Sequence, residues 1–243
     1  MAPQTQITAQ PVTPAATPRA NTLLSRLPKD AHQRLLSHCT RVPLHKHELL
    51  SETGTPVKWA YWPCSGVVSL QTMTEDAESV EVAMVGSEGL VGLPMASTSD
   101  LCPHTAVVVI PGDALRLRPD ALQAEFERNP ALQRVLVHYW YALMTDIAQG
   151  SVCHRFHTAR QRLARWLLSA SDRTQSARIQ MTQERLGQAL GLQRTGVTAA
   201  SIALQDAGAI KSRHGLITIL DRRRIESMAC ECYRLSRERP SSS

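Results

Sequence analysis

The chain has 243 residues, and an apolar content of 43% allows two modest domains with real cores. The net charge of +6 is unevenly spread: residues 156–243 carry 15 Lys and Arg against 7 Asp and Glu, whereas residues 1–155 carry 12 against 14. A near-neutral domain joined to a polyanion-binding one has this footprint. No apolar run approaches the roughly 20 residues that a membrane span needs. The N-terminus has neither the basic start nor the apolar run of a secretory signal. The six cysteines, Cys39, Cys64, Cys102, Cys153, Cys230 and Cys232, form no Cys-x-x-Cys pair. A cytoplasmic protein with reduced thiols is expected.

Residues 1–21 are rich in Pro, Thr, Gln and Ala and predict a disordered tail. Residues 23–38 predict a short helical opening. Residues 40–118 break into short β-prone runs at 60–62, 67–70, 80–85 and 106–110. Gly54, Pro63, Gly66, Gly86, Gly89, Gly92, Pro111 and Gly112 separate them, which predicts an all-β barrel or jelly roll over 40–118. Asn129 before Pro130 is a helix start, with proline where its missing N–H costs nothing. From there Leu132, Leu136, Tyr139, Leu143 and Ile147 recur at spacings of three and four. Such a seam over 129–155 fits a coiled coil with a second copy of the chain; packing on the β domain is the other reading. A further helix from Thr158 to Ala170 has Leu163, Trp166 and Leu167 as its core face.

Met181 to Gly215 is the most informative run. Thr182 suits an N-cap, and Leu186, Ala189 and Leu190 share one helical face. Gly187 lies where a second helix must cross closely, and Gly191 suits a left-handed turn. A second helix restarts near Gln193 with Val197, Ala200 and Leu204 as its buried stripe, and Asp206-Ala207-Gly208 closes it. Two helices on so short a glycine-containing turn place the second in a DNA major groove. Residues 209–212 and 216–220 then predict a β-hairpin with Arg213-His214-Gly215 at its tip, a basic wing. The candidate DNA contacts are therefore Thr182, Gln193, Arg194, Thr195, Thr198 and Ala199, with Lys211 and Arg213 of the wing. A solvated turn that happens to be basic is the plainer reading of the wing.

Three other groups carry chemistry on paper. His45 and His47 would share one face of a strand, as half a metal site. Cys153, His154 and His157 lie near the hinge after the long helix, where imidazole and thiolate could take haem or a metal; hinge packing is the default. Trp59, Trp62, Tyr139, Trp140 and Tyr141 could line a pocket between barrel and helix, or pack as core. Cys230 and Cys232, two apart on an expected helix, point to different faces and should not easily share a metal. Walker, His-Glu-x-x-His and nucleophile-elbow motifs are missing from the sequence, so an enzyme is not expected.

A barrel, a long helix and a winged helix-turn-helix in this order resemble the Crp/Fnr family of transcription regulators over about residues 22–235. The likeness is carried by Arg162-Leu163-Ala164-Arg165-Trp166-Leu167-Leu168, by Met181–Gly215, by Ala229-Cys230-Glu231-Cys232-Tyr233, by Ala60-Tyr61-Trp62-Pro63 with Ser65–Leu70, and by Gly86–Pro94. It implies an α+β chain: a β jelly-roll sensor domain at 22–128, a dimerisation helix and hinge at 129–155, a winged helix-turn-helix at 156–235 and a tail at 236–243. It implies double-stranded DNA and a second copy of the chain as partners, and RNA polymerase if the protein activates. No cofactor, metal, catalytic residue or membrane is expected. An effector pocket would draw on Gly86, Gly92, His104, Thr105 and Tyr139. Members that bind cyclic AMP place a Glu after the last cassette glycine and a later Arg-Ser pair; here Leu93-Pro94 and His104-Thr105 stand there. The cysteine cluster of iron–sulfur members is missing, since no cysteine precedes Cys39. The rival reading is an effector-binding module that regulates a protein partner without touching DNA; the basic winged domain argues against it.

Overall fold

A computed structural model describes residues 20–76, 78–92 and 101–238. A 3-10 turn at Leu24–Arg26 and helix α1 (Lys29–Ser37) open the chain. Seven strands follow: β1 (Thr40–Leu44), β2 (Leu49–Ser51), β3 (Ala60–Pro63), β4 (Val67–Met73), β5 (Ser79–Val85), β6 (Thr105–Ile110) and β7 (Gly112–Leu117). They form two antiparallel sheets in the orders β1-β7-β3 and β2-β6-β4-β5, the layout of a jelly roll. The space between the sheets is filled by Leu44, Tyr61, Val68, Leu70, Val85, Val91, Ala106, Val108 and Ala114. Side chains alternate along a strand, so neighbouring residues serve different cores. Val68 and Val108 enter the barrel, whereas Val67 and Val109 join the core of the C-terminal domain.

Helix α2 (Pro119–Arg128) leads into α3 (Pro130–Phe156). Asn129 caps α3, its side chain accepting from the N–H groups of Ala131 and Leu132 at 3.0 and 3.2 Å. Thr158 and Gln161 make a reciprocal capping box that starts α4 (Ala159–Thr174), so the chain turns at His157. The C-terminal domain continues with β8 (Arg178–Gln180), α5 (Gln183–Leu190), α6 (Arg194–Asp206), β9 (Ile210–Arg213), β10 (Leu216–Ile219), α7 (Arg222–Met228) and α8 (Glu231–Glu238). Leu163, Trp166, Leu167 and Leu168 of α4 lie in one core with Leu186, Val197, Leu204 and Ile217.

Several expectations are corrected. Leu132 and Leu136 are only 1% exposed and lie in the chain's own core with Leu24, Leu35, Trp62, Leu90 and Leu117. Tyr139 packs against the same core, and its hydroxyl donates to the Leu90 carbonyl at 2.8 Å. Leu143 packs on the barrel core, and Ile147 is half-buried. The expected dimer seam therefore faces the barrel, because α3 is apolar on two sides and the barrel takes this one. The other side leaves Val137, Trp140, Tyr141, Met144 and Val152 between 43% and 72% exposed. His45-Lys46-His47 is a turn after β1, with His47 at φ 69°, not a strand face. Asn21 is no part of a loose tail: it is buried, and its amide donates to the carbonyls of Pro63 and Gly89 at 2.8 and 2.9 Å. Residues 1–19 lie outside the described residues. Helix α8 runs past 235, to Glu238. Cys230 falls in the break between α7 and α8, so it and Cys232 are not on one continuous helix.

Candidate nucleic-acid interface

The helix-turn-helix forms for local reasons. Thr182 caps α5, its hydroxyl accepting from the Arg185 N–H at 3.3 Å. Gly191 ends the helix in the left-handed region, φ 56° and ψ 46°, and Leu192 N–H donates to the Gly187 carbonyl at 2.9 Å. A Cβ on Gly187 would stand 2.9 Å from the Leu192 carbonyl oxygen, so only glycine lets the turn fold back this closely. Helix α6 then buries Val197, Ala200, Ser201 and Leu204. Its outer face presents Gln193, Arg194, Thr195 and Ala199 to solvent. No side chain caps its N-terminus, which leaves that end open to an anion. Thr198 is half-buried; its hydroxyl lies 3.0 Å from Gln183 Oε1 and 2.9 Å from the Arg194 carbonyl. It ties α5 to α6 more than it projects.

The wing is a two-residue hairpin. Arg213 pairs with Leu216, and His214 and Gly215 both have positive φ, 49° and 74°. The Met181 N–H donates to the Gly215 carbonyl at 2.7 Å, which fixes the wing beside the start of α5. Strand β8, too short to stand out in the sequence, pairs with β10 and completes a three-stranded sheet. Lys211, Arg213 and His214 are exposed, and a cleft between wing and α6 is lined by Arg194, Arg213, His214 and Thr182. Among the described residues Arg194, Lys211 and Arg213 make no ion pair. The arginines at the start of α7 differ. Arg222 pairs with Asp172 at 2.6 Å and with Glu226 at 3.0 Å, and Arg224 donates to the Ala207 carbonyl at 2.6 Å. They brace the domain.

The barrel reaches this surface. A groove between the β4–β5 hairpin and the helix-turn-helix is lined by Thr74, Glu78 and Val80 on one side and by Gln188, Gln193 and Arg194 on the other. The junction is anchored by the Trp166 indole N–H, which donates to Glu81 Oε1 at 2.9 Å in a buried setting. An Arg173–Glu88 ion pair at 2.8 Å adds to it. The second oxygen of Glu81 is buried with no hydrogen-bond partner, and burial pushes its carboxyl up to about 7.

Residues 161–228 match the Crp-like helix-turn-helix domain family. The fold matches FixK2 from Bradyrhizobium japonicum with a TM-score of 0.68 and 18% identity, over 79% of this chain and 98% of that one. It matches the c-di-GMP responsive regulator CLP from Xanthomonas campestris with a TM-score of 0.65 and 17% identity, over 79% and 99%. A CRP-family transcriptional regulator from Thermus thermophilus gives 0.64 and 18%, over 77% and 96%. The C-terminal part of the chain is thus similar to a Crp-like helix-turn-helix domain, and the whole fold is similar to those of these regulators. No curated protein matches the chain by sequence.

Among the described residues the expected effector positions are each engaged locally. Gly86 faces the Arg173 side chain of the C-terminal domain, and Gly92 turns at φ 71° against the Trp59 carbonyl. Thr105 is buried, its hydroxyl 3.1 Å from that of Thr53, and His104 Nδ1 lies 3.4 Å from the Thr72 hydroxyl. Burial holds the His104 imidazole below its usual range, which disfavours its charged form. Tyr139 is spent on the Leu90 carbonyl. Leu93 and Pro94 lie outside the described residues. The aromatic residues scatter as well: Trp62 is core, Trp59 stacks under Arg116 at 4.3 Å, and Trp140 and Tyr141 face outward.

Proposed function

We propose that this protein is a cytoplasmic transcription regulator of the Crp/Fnr type that reads a near-palindromic operator as a dimer, with the barrel as its signal-receiving part. One observation carries the reading. Gln193, Arg194, Thr195 and Ala199 stand on the outer face of α6 next to a wing whose Lys211 and Arg213 have no carboxylate partner among the described residues. A positive surface beside an exposed helix face is what phosphate anchoring plus base reading requires. The dimer forms through the outer face of α3, with Val137, Trp140, Met144 and Val152 at its centre, so that two α6 helices reach major grooves about 34 Å apart. RNA polymerase is the further partner if the bound dimer activates.

The signal acts on the junction between barrel and helix-turn-helix. Gln193 and Arg194 share a groove with Glu78 of the β4–β5 hairpin, which has to move aside before α6 can enter a major groove. Cyclic AMP is not that signal. Its buried phosphate needs a fixed cation, whereas burial disfavours a charge on His104, Thr105 is engaged, and Arg116 and Arg118 stack on Trp59. Calorimetry with cyclic AMP and cyclic GMP on the purified protein should show no micromolar binding; a micromolar isotherm for either refutes this part.

Selection of bound fragments from a random double-stranded DNA pool tests the function as a whole. The expected product is one motif with two related half-sites. Recovery of unrelated sequences, or of none, favours the protein-partner reading.

A further inference from the structure

Four potential ligands converge where α3, α4 and the α7–α8 break meet. Cys153 and His157 are one helical turn apart at the end of α3, and Cys230 and Cys232 come from the break before α8 and its first turn. One sulfur or nitrogen atom from each lies within 4.8 Å of all the others. Cys153 Sγ and Cys230 Sγ are 3.6 Å apart, and Cys232 Sγ is 3.6 Å from His157 Nδ1. Cys153, Cys230 and Cys232 are 0%, 3% and 0% exposed.

We propose that these four side chains bind one zinc ion. A tetrahedral zinc with Zn–S of about 2.3 Å and Zn–N of about 2.0–2.1 Å sets its ligand atoms roughly 3.6–3.8 Å apart, and both closest separations fall there. Three thiolates and one imidazole form a closed set of the kind that structural zinc takes, and thiolates discriminate against calcium and magnesium.

Buried thiols alone pack as small apolar groups, so the surroundings decide. His157 turns Nδ1 to the cluster while Nε2 lies 3.1 Å from Glu231 Oε1, the carboxylate–histidine arrangement that orients a metal ligand. The Gln149 amide donates to Cys232 Sγ at 3.1 Å, as a hydrogen bond to a metal-bound thiolate does. Arg162 is 7% exposed, and its Nε has no hydrogen-bond partner. Zinc with three thiolates carries a net charge of −1, which supplies a counter-charge for that guanidinium. Binding releases the three thiol protons and involves no electron transfer. The ion joins the end of the long helix to the last two helices, and so fixes how the DNA-binding domain leaves α3.

The test uses the full chain, reduced, stripped with a chelator and titrated with zinc or cobalt(II). One equivalent should bind, zinc should raise the melting temperature, and cobalt should give the visible bands of a tetrahedral thiolate site. Cys153→Ser and Cys230→Ser should lose those bands, and Cys39→Ser, in the barrel half, should keep them. Glu231 is on the surface, so Glu231→Gln should fold and weaken zinc about 10–100-fold. Failure of the reduced wild-type chain to bind either metal, bands that survive both cysteine substitutions, or unchanged affinity in Glu231→Gln overturns the proposal. So does a Cys153–Cys230 disulfide in protein that takes no metal once reduced.

Discussion

The two halves of this molecule place their working residues in opposite ways. In the C-terminal domain the residues proposed to meet DNA stand outside, on α6 and the wing, over a core of Leu186, Val197, Leu204 and Ile217. In the barrel half and on the helix packed against it, the residues expected to hold an effector are inside or locally bonded: Thr105 to Thr53, His104 to Thr72, and Tyr139 of α3 to Leu90. A surface that reads DNA can be assembled from one short stretch of chain. A pocket needs several strands to leave a gap, and the described part of this barrel fills the space with Leu44, Tyr61, Val68 and Val108. Helix α3 lies between the halves and shows both behaviours, one side packed on the barrel and the other bare.

The largest expected effect separates those two sides. Leu136→Ala removes a fully buried side chain and should cost about 2–5 kcal/mol, read as a lower denaturation midpoint. Met144→Glu, on the bare side, should leave the monomer folded but abolish dimers in light scattering. A dimeric Met144→Glu protein, or a Leu136→Ala protein of unchanged midpoint, breaks the distinction between the faces.

The junction between the halves predicts a pH effect. Glu81 titrates near 7 in the folded chain because burial disfavours its charge, and near its ordinary value of 4.5 when unfolded. The folded form keeps its proton longer, so this contribution is full below pH 4.5, falls as pH rises towards 7 and is gone above that. Glu81→Gln keeps an oxygen for the Trp166 indole N–H and removes the titration. It should match wild type near pH 4.5 and exceed it by up to about 3 kcal/mol at pH 8. Parallel stability curves for the two proteins from pH 4.5 to 8 contradict the account of Glu81.

How much was legible in the sequence follows the same divide. The helix-turn-helix could be read closely, since Thr182, Gly187, Gly191 and the Val197–Leu204 stripe each act within a few residues of themselves. Strands β3, β4, β5 and β6 and the capped start of α3 were legible for similar reasons, whereas β1, β2 and β7 were not picked out and Gly112 of β7 was read as a separator. The inner and outer faces of α3 were not, because Leu132–Leu136–Tyr139–Leu143 and Val137–Trp140–Met144 both recur at spacings of three and four, and only the barrel decides between them. The cysteine–histidine cluster was hidden by distance along the chain: 77 residues separate Cys153 from Cys230. It was hidden too by the helix break at Cys230, which placing Cys230 and Cys232 on one helix passes over. Pro119 and Asp120, in the first turn of α2, were a usable helix-start signal that strand patterning over 40–118 overshadowed.

A smaller effect belongs to the wing. Neutralising Lys211 and Arg213 together should weaken binding on every sequence and flatten the salt dependence, by about 0.9 in the log–log slope for each phosphate that is no longer neutralised. An unchanged slope takes the wing out of the interface.

The most direct test of DNA reading by α6 is the base preference of Arg194→Ala, compared with wild type on the selected operator and on all its single-base variants. If Arg194 pairs with a guanine through two hydrogen bonds, the substitution costs about 1–3 kcal/mol on the operator and erases selection at one base position in each half-site, leaving the other positions as selective as before. An equal loss of affinity on every variant, with the preference intact, contradicts the account and makes Arg194 a phosphate anchor.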